Sequence, residues 1–325
     1  MKPAILVTRE IFPQVLAQLQ QHFEVSYNAK DEIWSEDDIA TQLAGKAGAL
    51  TTGTCRVSAK VLAAAGPQLK IVANMAVGYN NFDVPAMTAA GVIGTNTPDV
   101  LTETTADMGF ALLMAAARRV SESEAYLRAG HWNRWRYDMF TGPDVHGATL
   151  GILGMGRIGQ AIAKRGAHGF GMKVIYHNRS RLAPEIEQAL GARYVSKVEL
   201  LAQADHLVLV LPYSPEAHHI IGAAELAQMK PTATLTNIGR GGLIDENALA
   251  NTLAAGRIHA AGLDVFEGEP KVNPRLLALK NVVLTPHIGS ASNATRLAMT
   301  QLAADNLIAY FTQGKTITPV NCLPG

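Results

Sequence analysis

At 325 residues, with 48% apolar side chains, the chain is long enough for a sizeable core and longer than one typical domain, so two domains are expected. Its 28 Lys and Arg against 27 Asp and Glu leave a formal charge of +1 without long like-charge blocks, which argues against a nucleic-acid or anionic-membrane partner. Two cysteines far apart in sequence, Cys55 and Cys322, support neither a disulfide framework nor a cysteine metal site; free thiols are expected and no metal is assigned.

In chain order, the opening MKPAILVTRE has too short an apolar run for a signal peptide. The apolar stretch from Met108 to Ala117 is far shorter than the roughly 20 residues of a membrane span. A cytoplasmic location is expected. Short runs at Ala4–Val7, Ala47–Thr51 and Lys70–Ala73 read as strands, alternating with helices whose start signals are Ser35, Ser58 and Asp83. Such alternation implies a parallel sheet covered on both faces. A long helix is expected over Leu101–Ala117. An irregular segment rich in Trp, Arg and Tyr follows at His131–His146 and reads as an extension from the body.

A second alternation begins at Thr149. Strands are expected at Thr149–Leu153, Lys173–Tyr176, His206–Leu211, Ala233–Ile238, Ala260–Val265 and Val282–Thr285. Six is the number of strands in a complete dinucleotide-binding sheet. A last helix, Ala294–Phe311, needs a surface to cover, and the first domain is the expected one. The chain would then cross back, leaving residues 1–99 and 291–325 as a substrate domain and 100–290 as a coenzyme domain.

Between the first strand of this second set and an alanine-rich helix lies Gly154-Met155-Gly156-Arg157-Ile158-Gly159, a GxGxxG. Gly154 permits a tight turn, Gly156 lets the backbone approach a pyrophosphate and Gly159 allows close helix packing, while the helix N-terminus offers amides and a positive dipole end. The next strand runs into Asn178, Arg179, Ser180 and Arg181 with no acidic residue to accept ribose hydroxyls. Guanidinium and hydroxyl groups suit a 2′-phosphate, so NADPH is expected in preference to NAD; the alternative is a basic solvated loop beside a site that takes both.

Ligands of open α/β sheets lie outside the carboxyl ends of the strands. Three later strands end at Arg240, at Asp264 with Glu269, and at His287. A guanidinium fork can hold the carboxylate and carbonyl of a 2-keto acid, which is the expected role of Arg240. As hydride arrives at carbon, the carbonyl oxygen needs a proton donor of the histidine type, which points to His287. Glu269 is placed to orient that ring. Asp264 is expected to orient the nicotinamide or Glu269, or else to cap a helix or brace a loop. In the first domain the turn at Val77 and Gly78 offers amides to the substrate carboxylate; the plain alternative is a βα turn that needs glycine.

The runs Ala76–Asp83, Asn96–Asp107, Gly154–Gly159, Ile238–Leu249, Ala261–Pro270 and Pro286–Ser290 together resemble the D-isomer-specific 2-hydroxyacid dehydrogenases over nearly the whole chain. The segment from Asp99 to Asp107 looks most like the branch of glyoxylate/hydroxypyruvate and 2-ketogluconate reductases. The resemblance implies an α/β protein of two doubly wound parallel sheets, a Rossmann coenzyme domain inserted into a flavodoxin-like substrate domain, and a homodimer. It implies Arg240 as substrate binder, Glu269 as partner of the acid and His287 as proton donor. Thr105, Arg157, Ile158, Pro212, Ile238, Asp264 and Gly289 are implied cofactor neighbours, with NAD as an alternative coenzyme. Trp135 resembles a tryptophan that reaches the partner subunit's active site; an anchor for the dimer arm is an equal reading. Gly239 departs from the Ala or Ser of many relatives. The chain is expected to lack the regulatory domain of long phosphoglycerate dehydrogenases, while short phosphoglycerate dehydrogenases and phosphite dehydrogenase remain alternatives. A formate dehydrogenase is disfavoured because that branch has Gln at the Glu269 position. A dinucleotide-sensing corepressor is the rival from another class, which would bind coenzyme without turnover.

Overall fold

The computed structural model describes residues 1–323. The chain divides into two compact units, Met1–Leu101 together with the chain from Ala291 onward, and Thr102–Ser290.

Among its described residues the first unit holds five parallel strands, β1 (Ala4–Val7), β2 (Glu24–Tyr27), β3 (Gly48–Thr51), β4 (Ile71–Asn74) and β5 (Ile93–Thr95), in the order β2-β1-β3-β4-β5. This is the flavodoxin-like order. Strands β3 and β4 are buried along their whole length, as expected of apolar runs covered on both faces. Edge strand β2 is at best half-buried, and neither it nor the three-residue β5 carries an apolar run that marks it in sequence. The helix start signals act locally. Ser35 Oγ accepts the Asp38 N–H at 3.2 Å while the Asp38 carboxylate takes the Ser35 N–H at 2.8 Å, a reciprocal cap. Ser58 and Asp83 cap their helices through Val61 N–H and Ala86 N–H. The last helix, Asn293–Gln313, shares a core with this sheet, its Ala303, Ala304 and Leu307 lying among Ile5, Leu50 and Ile71. Gly48 permits this approach, because a Cβ there would stand 3.3 Å from both Leu307 and Phe311.

The second unit holds seven parallel strands, β6 (Thr149–Leu153), β7 (Lys173–His177), β8 (Ala192–Tyr194), β9 (His206–Leu209), β10 (Thr234–Asn237), β11 (Ala260–Leu263) and β12 (Val282–Leu284), in the order β12-β11-β10-β9-β6-β7-β8. The six expected strands are all present; β8, three residues at the sheet edge, is the seventh. The chain switches from β8 at one edge to β9 beside β6, so the topological switch lies between β6 and β9, next to the glycine turn. The helix Thr102–Ala117 packs on β10 and β11 at backbone distance, since a Cβ on Gly109 would meet Ile238 and one on Gly262 would meet the Leu112 backbone. Residues 131–148 form no helix or strand, and Trp132, Trp135 and Tyr137 on this segment are exposed. The buried His206 ties its end to the sheet: Nε2 meets the Asp144 carbonyl at 3.0 Å and Nδ1 the Thr234 hydroxyl at 2.8 Å. Burial pushes this imidazole below its ordinary value.

Among the described residues no helix is long and apolar enough to cross a membrane. Cys55 is buried, Cys322 exposed, and both are free thiols.

Candidate active site

The glycine turn leaves β6 at Leu153. Gly154 has φ of 103°, and a Cβ there would press on the Val210–Leu211 backbone, while one on Gly159 would collide with the Gly154 carbonyl. Those two glycines therefore serve the fold. Gly156 differs, because nothing lies within 4 Å of where its Cβ would be. It is the N-cap of helix Arg157–Lys164 and offers no side chain to the first-turn amides, an open cradle of the kind phosphates use. Asn178, at the end of β7, steadies the turn by accepting the Met155 N–H at 2.9 Å. Ile158 is partly buried against the core beneath, and Arg157 is exposed. Thr105, on the helix Thr102–Ala117, has a buried hydroxyl with no hydrogen-bond partner, a group that a bound coenzyme could satisfy. Open amides and an unsatisfied hydroxyl both fit a dinucleotide.

Arg179, Ser180 and Arg181 are exposed beyond β7. Arg181 is engaged: its Nε and Nη2 donate to the two Glu187 oxygens at 2.9 and 2.7 Å. The Arg181 guanidinium and the Tyr176 hydroxyl, 2.7 Å away, hold the Glu187 carboxyl below its ordinary value.

Adjacent strands β10, β11 and β12 deliver the three central groups. Asn237, 1% exposed at the end of β10, accepts the Gly239 N–H at 3.0 Å and donates to the Arg240 carbonyl at 2.9 Å, shaping the turn that presents Arg240. Arg240 Nη1 donates to the Gly239 carbonyl at 2.7 Å. Burial lowers this guanidinium from its usual value, with the charge of Glu269 opposing the effect. Gly241 lies flush against the next loop, since a Cβ there would overlap the backbone of Phe266 and Glu267. This backbone contact joins the Arg240 turn to the loop that carries Glu269.

Glu269 uses both carboxylate oxygens. Oε1 accepts the Phe266 N–H at 2.9 Å, and Oε2 lies 2.7 Å from His287 Nδ1. Burial pushes its carboxyl up, but the hydrogen bonds from His287 and Phe266 and the charges of His287 and Arg240 outweigh this, leaving it below the ordinary value and ionised. Facing a carboxylate, Nδ1 carries hydrogen and Nε2 is left for a reacting group. His287 has φ of 53°, in the left-handed region, a conformation associated with sites where surrounding structure imposes it.

Asp264, 1% exposed, imposes it here. Its Oδ1 accepts the Thr285 hydroxyl at 2.6 Å and the Ile288 N–H at 2.8 Å, and its Oδ2 the Gly289 N–H at 2.8 Å. Of the tasks expected for Asp264, loop bracing is the one these bonds describe. Ile238 is buried and Pro212 exposed beyond β9. Val77 and Gly78 belong to the first unit, where Asn96 and Asn74 donate to their carbonyls at 2.8 and 3.0 Å. Trp135 is 71% exposed, with Tyr137 beside it at 6.1 Å. Sequence reasoning missed Asn237, which shapes its own turn, and Gly241 and Thr285, which act by touching other loops; only the glycine pair after Arg240 hinted at the close approach.

Residues 110–289 match the family described as D-isomer specific 2-hydroxyacid dehydrogenase, NAD binding domain. The chain is 47% identical over 320 residues to a glyoxylate reductase of Thermococcus onnurineus, covering 95% of this chain and 93% of that one. It is also 47% identical over 326 residues to a glyoxylate reductase of Aeropyrum pernix, covering 97% and 94%. Among solved structures it resembles an NADPH-dependent glyoxylate/hydroxypyruvate reductase of Sinorhizobium meliloti, in complex with NADP and malonate, at 37% identity and a TM-score of 0.84, covering 98% and 97% of the two chains. With the strand order, the glycine turn and these matches in agreement, the chain belongs to the D-isomer-specific 2-hydroxyacid dehydrogenases.

Proposed function

We propose that the protein reduces small 2-keto acids, glyoxylate and hydroxypyruvate foremost and 2-ketogluconate as a further candidate, to D-2-hydroxy acids where a stereocentre forms. The observation that carries this is the 2.7 Å contact of Glu269 with His287, with the Arg240 charge acting on the same carboxylate, at the ends of adjacent strands. When bound, a reduced nicotinamide supplies the hydride. Arg240 holds the substrate carboxylate, and the imidazolium of His287 passes the proton on Nε2 to the carbonyl oxygen, so that hydride and proton together complete the reduction. Glu269 keeps the ring oriented and balances its charge. For Val77 and Gly78 the proposal stays with amide donors to the substrate carboxylate, their carbonyls being tied up by Asn96 and Asn74.

Gly154, Gly156, Arg157, Ile158 and Gly159, with Thr105, Ile238, Pro212, Asp264 and Gly289, are the proposed surroundings of the dinucleotide. NADPH preference is supported by Arg179 and Ser180 at a strand end without a carboxylate, and by the NADPH dependence of the Sinorhizobium relative. A homodimer is part of the same reading, with the exposed Trp132, Trp135 and Tyr137 segment as the arm that a second copy covers. The experiment is the initial rate of NADPH and NADH oxidation with glyoxylate, hydroxypyruvate, 2-ketogluconate and pyruvate. Efficient turnover of glyoxylate or hydroxypyruvate with NADPH supports the reading, and tight coenzyme binding with no turnover of any of them overturns it.

A further inference from the structure

The loop after β9 carries two consecutive histidines, His218 and His219, whose rings stack at 3.8 Å between centroids and 23° between planes. Successive side chains of an extended chain point to opposite faces, so two neighbouring rings can stack only where the backbone turns. His219 provides that turn with φ of 51°, a conformation uncommon for any residue with a Cβ. Its N–H is held by the Gly242 carbonyl at 2.8 Å. Both rings therefore face one carboxylate. His219 Nε2 lies 2.9 Å from Glu267 Oε2, and His218 Nε2 lies 3.9 Å from Glu267 Oε1. The Tyr213 hydroxyl sits 3.2 Å from His218 Nδ1, engaging the ring nitrogen that points away from Glu267. The surroundings are acidic: Glu246 accepts the Glu267 N–H at 2.7 Å, and burial, with the charges of Glu267 and Glu269 adding to it, pushes the Glu246 carboxyl above its ordinary value.

We propose that His218, His219 and Glu267 form a site for a divalent transition-metal ion of the zinc type, with two imidazole nitrogens and one carboxylate oxygen as ligands and water in the fourth position. The donor atoms of the three residues all lie within 4.8 Å of one another. Ligands on a tetrahedral zinc, at about 2.0–2.1 Å from the ion, are separated by about 3.3 Å, and the two contacts of 2.9 and 3.9 Å bracket that spacing. His218 and Glu267 are exposed and His219 half-buried, so small rotations of the first two suffice for the three to converge. Paired imidazoles select zinc, copper or nickel over magnesium and calcium, which prefer all-oxygen shells. The Tyr213 hydroxyl provides the outer hydrogen bond that metal-bound histidines ordinarily make through their second nitrogen. Bound there, the ion ties the loop after β9 to the loop after β11, two residues ahead of Glu269, and takes no part in hydride or proton transfer. The proposal does not depend on which keto acid the protein reduces.

The test is Zn²⁺ binding to the untagged full chain, measured by competition with a chromophoric chelator. One Zn²⁺ per wild-type chain is expected, with affinity at least tenfold weaker in His218→Asn/His219→Asn and little changed in His287→Asn. Equal binding by wild type and the double variant overturns the proposal, as does binding lost in His287→Asn alone, which would place the ion on the Glu269 and His287 pair. If the double variant does not fold, the single variants His218→Asn and Tyr213→Phe decide in its place. Both alter exposed side chains, and each is compared with wild type by circular dichroism and melting temperature. Retained wild-type affinity in both overturns the proposal, and weakened affinity with unchanged melting supports it.

Discussion

The carbonyl oxygen of Asp264 accepts the N–H of His287 at 2.9 Å, while the Asp264 carboxylate accepts the next two amides of the same loop. One buried side chain thus holds the left-handed backbone from which the proposed acid projects. Asp264→Asn keeps the shape but turns an amide N–H₂ toward one of those donors. The expected loss is about 1–3 kcal/mol, read as a melting temperature several degrees lower, with kcat falling more than KM rises. An unchanged melting temperature would remove the bracing role.

His287→Ala removes the proposed proton donor, and turnover should fall by roughly 10²–10⁴. The KM for the keto acid should change far less, because Arg240 remains. Glu269→Gln should reduce kcat by a smaller factor, since it keeps the acceptor oxygen and loses the charge. Steady-state kinetics on both variants checks the order; wild-type turnover in His287→Ala would show that another group supplies the proton.

Stability should also depend on pH through Glu269. Its carboxyl lies below the ordinary 4.5 in the folded chain, so the contribution of its ionised form is present above about pH 4.5 and is lost as pH falls through the lowered value. Melting temperatures of wild type and Glu269→Gln should differ at neutral pH, and the gap should close as the buffer is taken more acidic than 4.5. A gap that widens on acidification would give the shift the opposite sign.

Arg179 and Arg181 are not equivalent. Arg181 is held by Glu187 at 2.9 and 2.7 Å, so moving it to a 2′-phosphate would break a two-point ion pair. Arg179→Ala should therefore raise the KM for NADPH well beyond its effect on NADH, and Arg181→Ala should do so less. Equal effects of Arg179→Ala on the two coenzymes would argue against a 2′-phosphate contact.

Gly241→Ala tests how the central loops meet. The added methyl overlaps the Phe266–Glu267 backbone, so the loop bearing Glu269 must shift or the chain must lose stability, by about 1–3 kcal/mol for overpacking of this kind. Thermal melting and kcat measured on the same preparation follow both consequences, and wild-type values for both would mean the two loops are not in backbone contact.

Wherever a local rule was sufficient, the sequence determined the outcome. Parallel strands such as β1 and β11 are continuous apolar runs because both of their faces are covered, and Ser35, Ser58 and Asp83 mark helix starts because a side-chain oxygen can reach an amide only three residues ahead. The glycine turn and the positions of Arg240, Glu269 and His287 after strands were legible for the same reason. Edge strands β2, β5 and β8 were not, since a short strand with one neighbour carries little apolar signal and is defined by the strand it pairs with. Tertiary structure alone decided that Arg181 faces Glu187, that Asn237 shapes the Arg240 turn, that Gly241 lies against Phe266 and that Asp264 clamps the His287 loop. The first two join near neighbours in the chain, but which of the available partners each side chain takes is set by the packing around it; the last two join residues remote in sequence, whose distance exists only once parallel strands have been brought side by side.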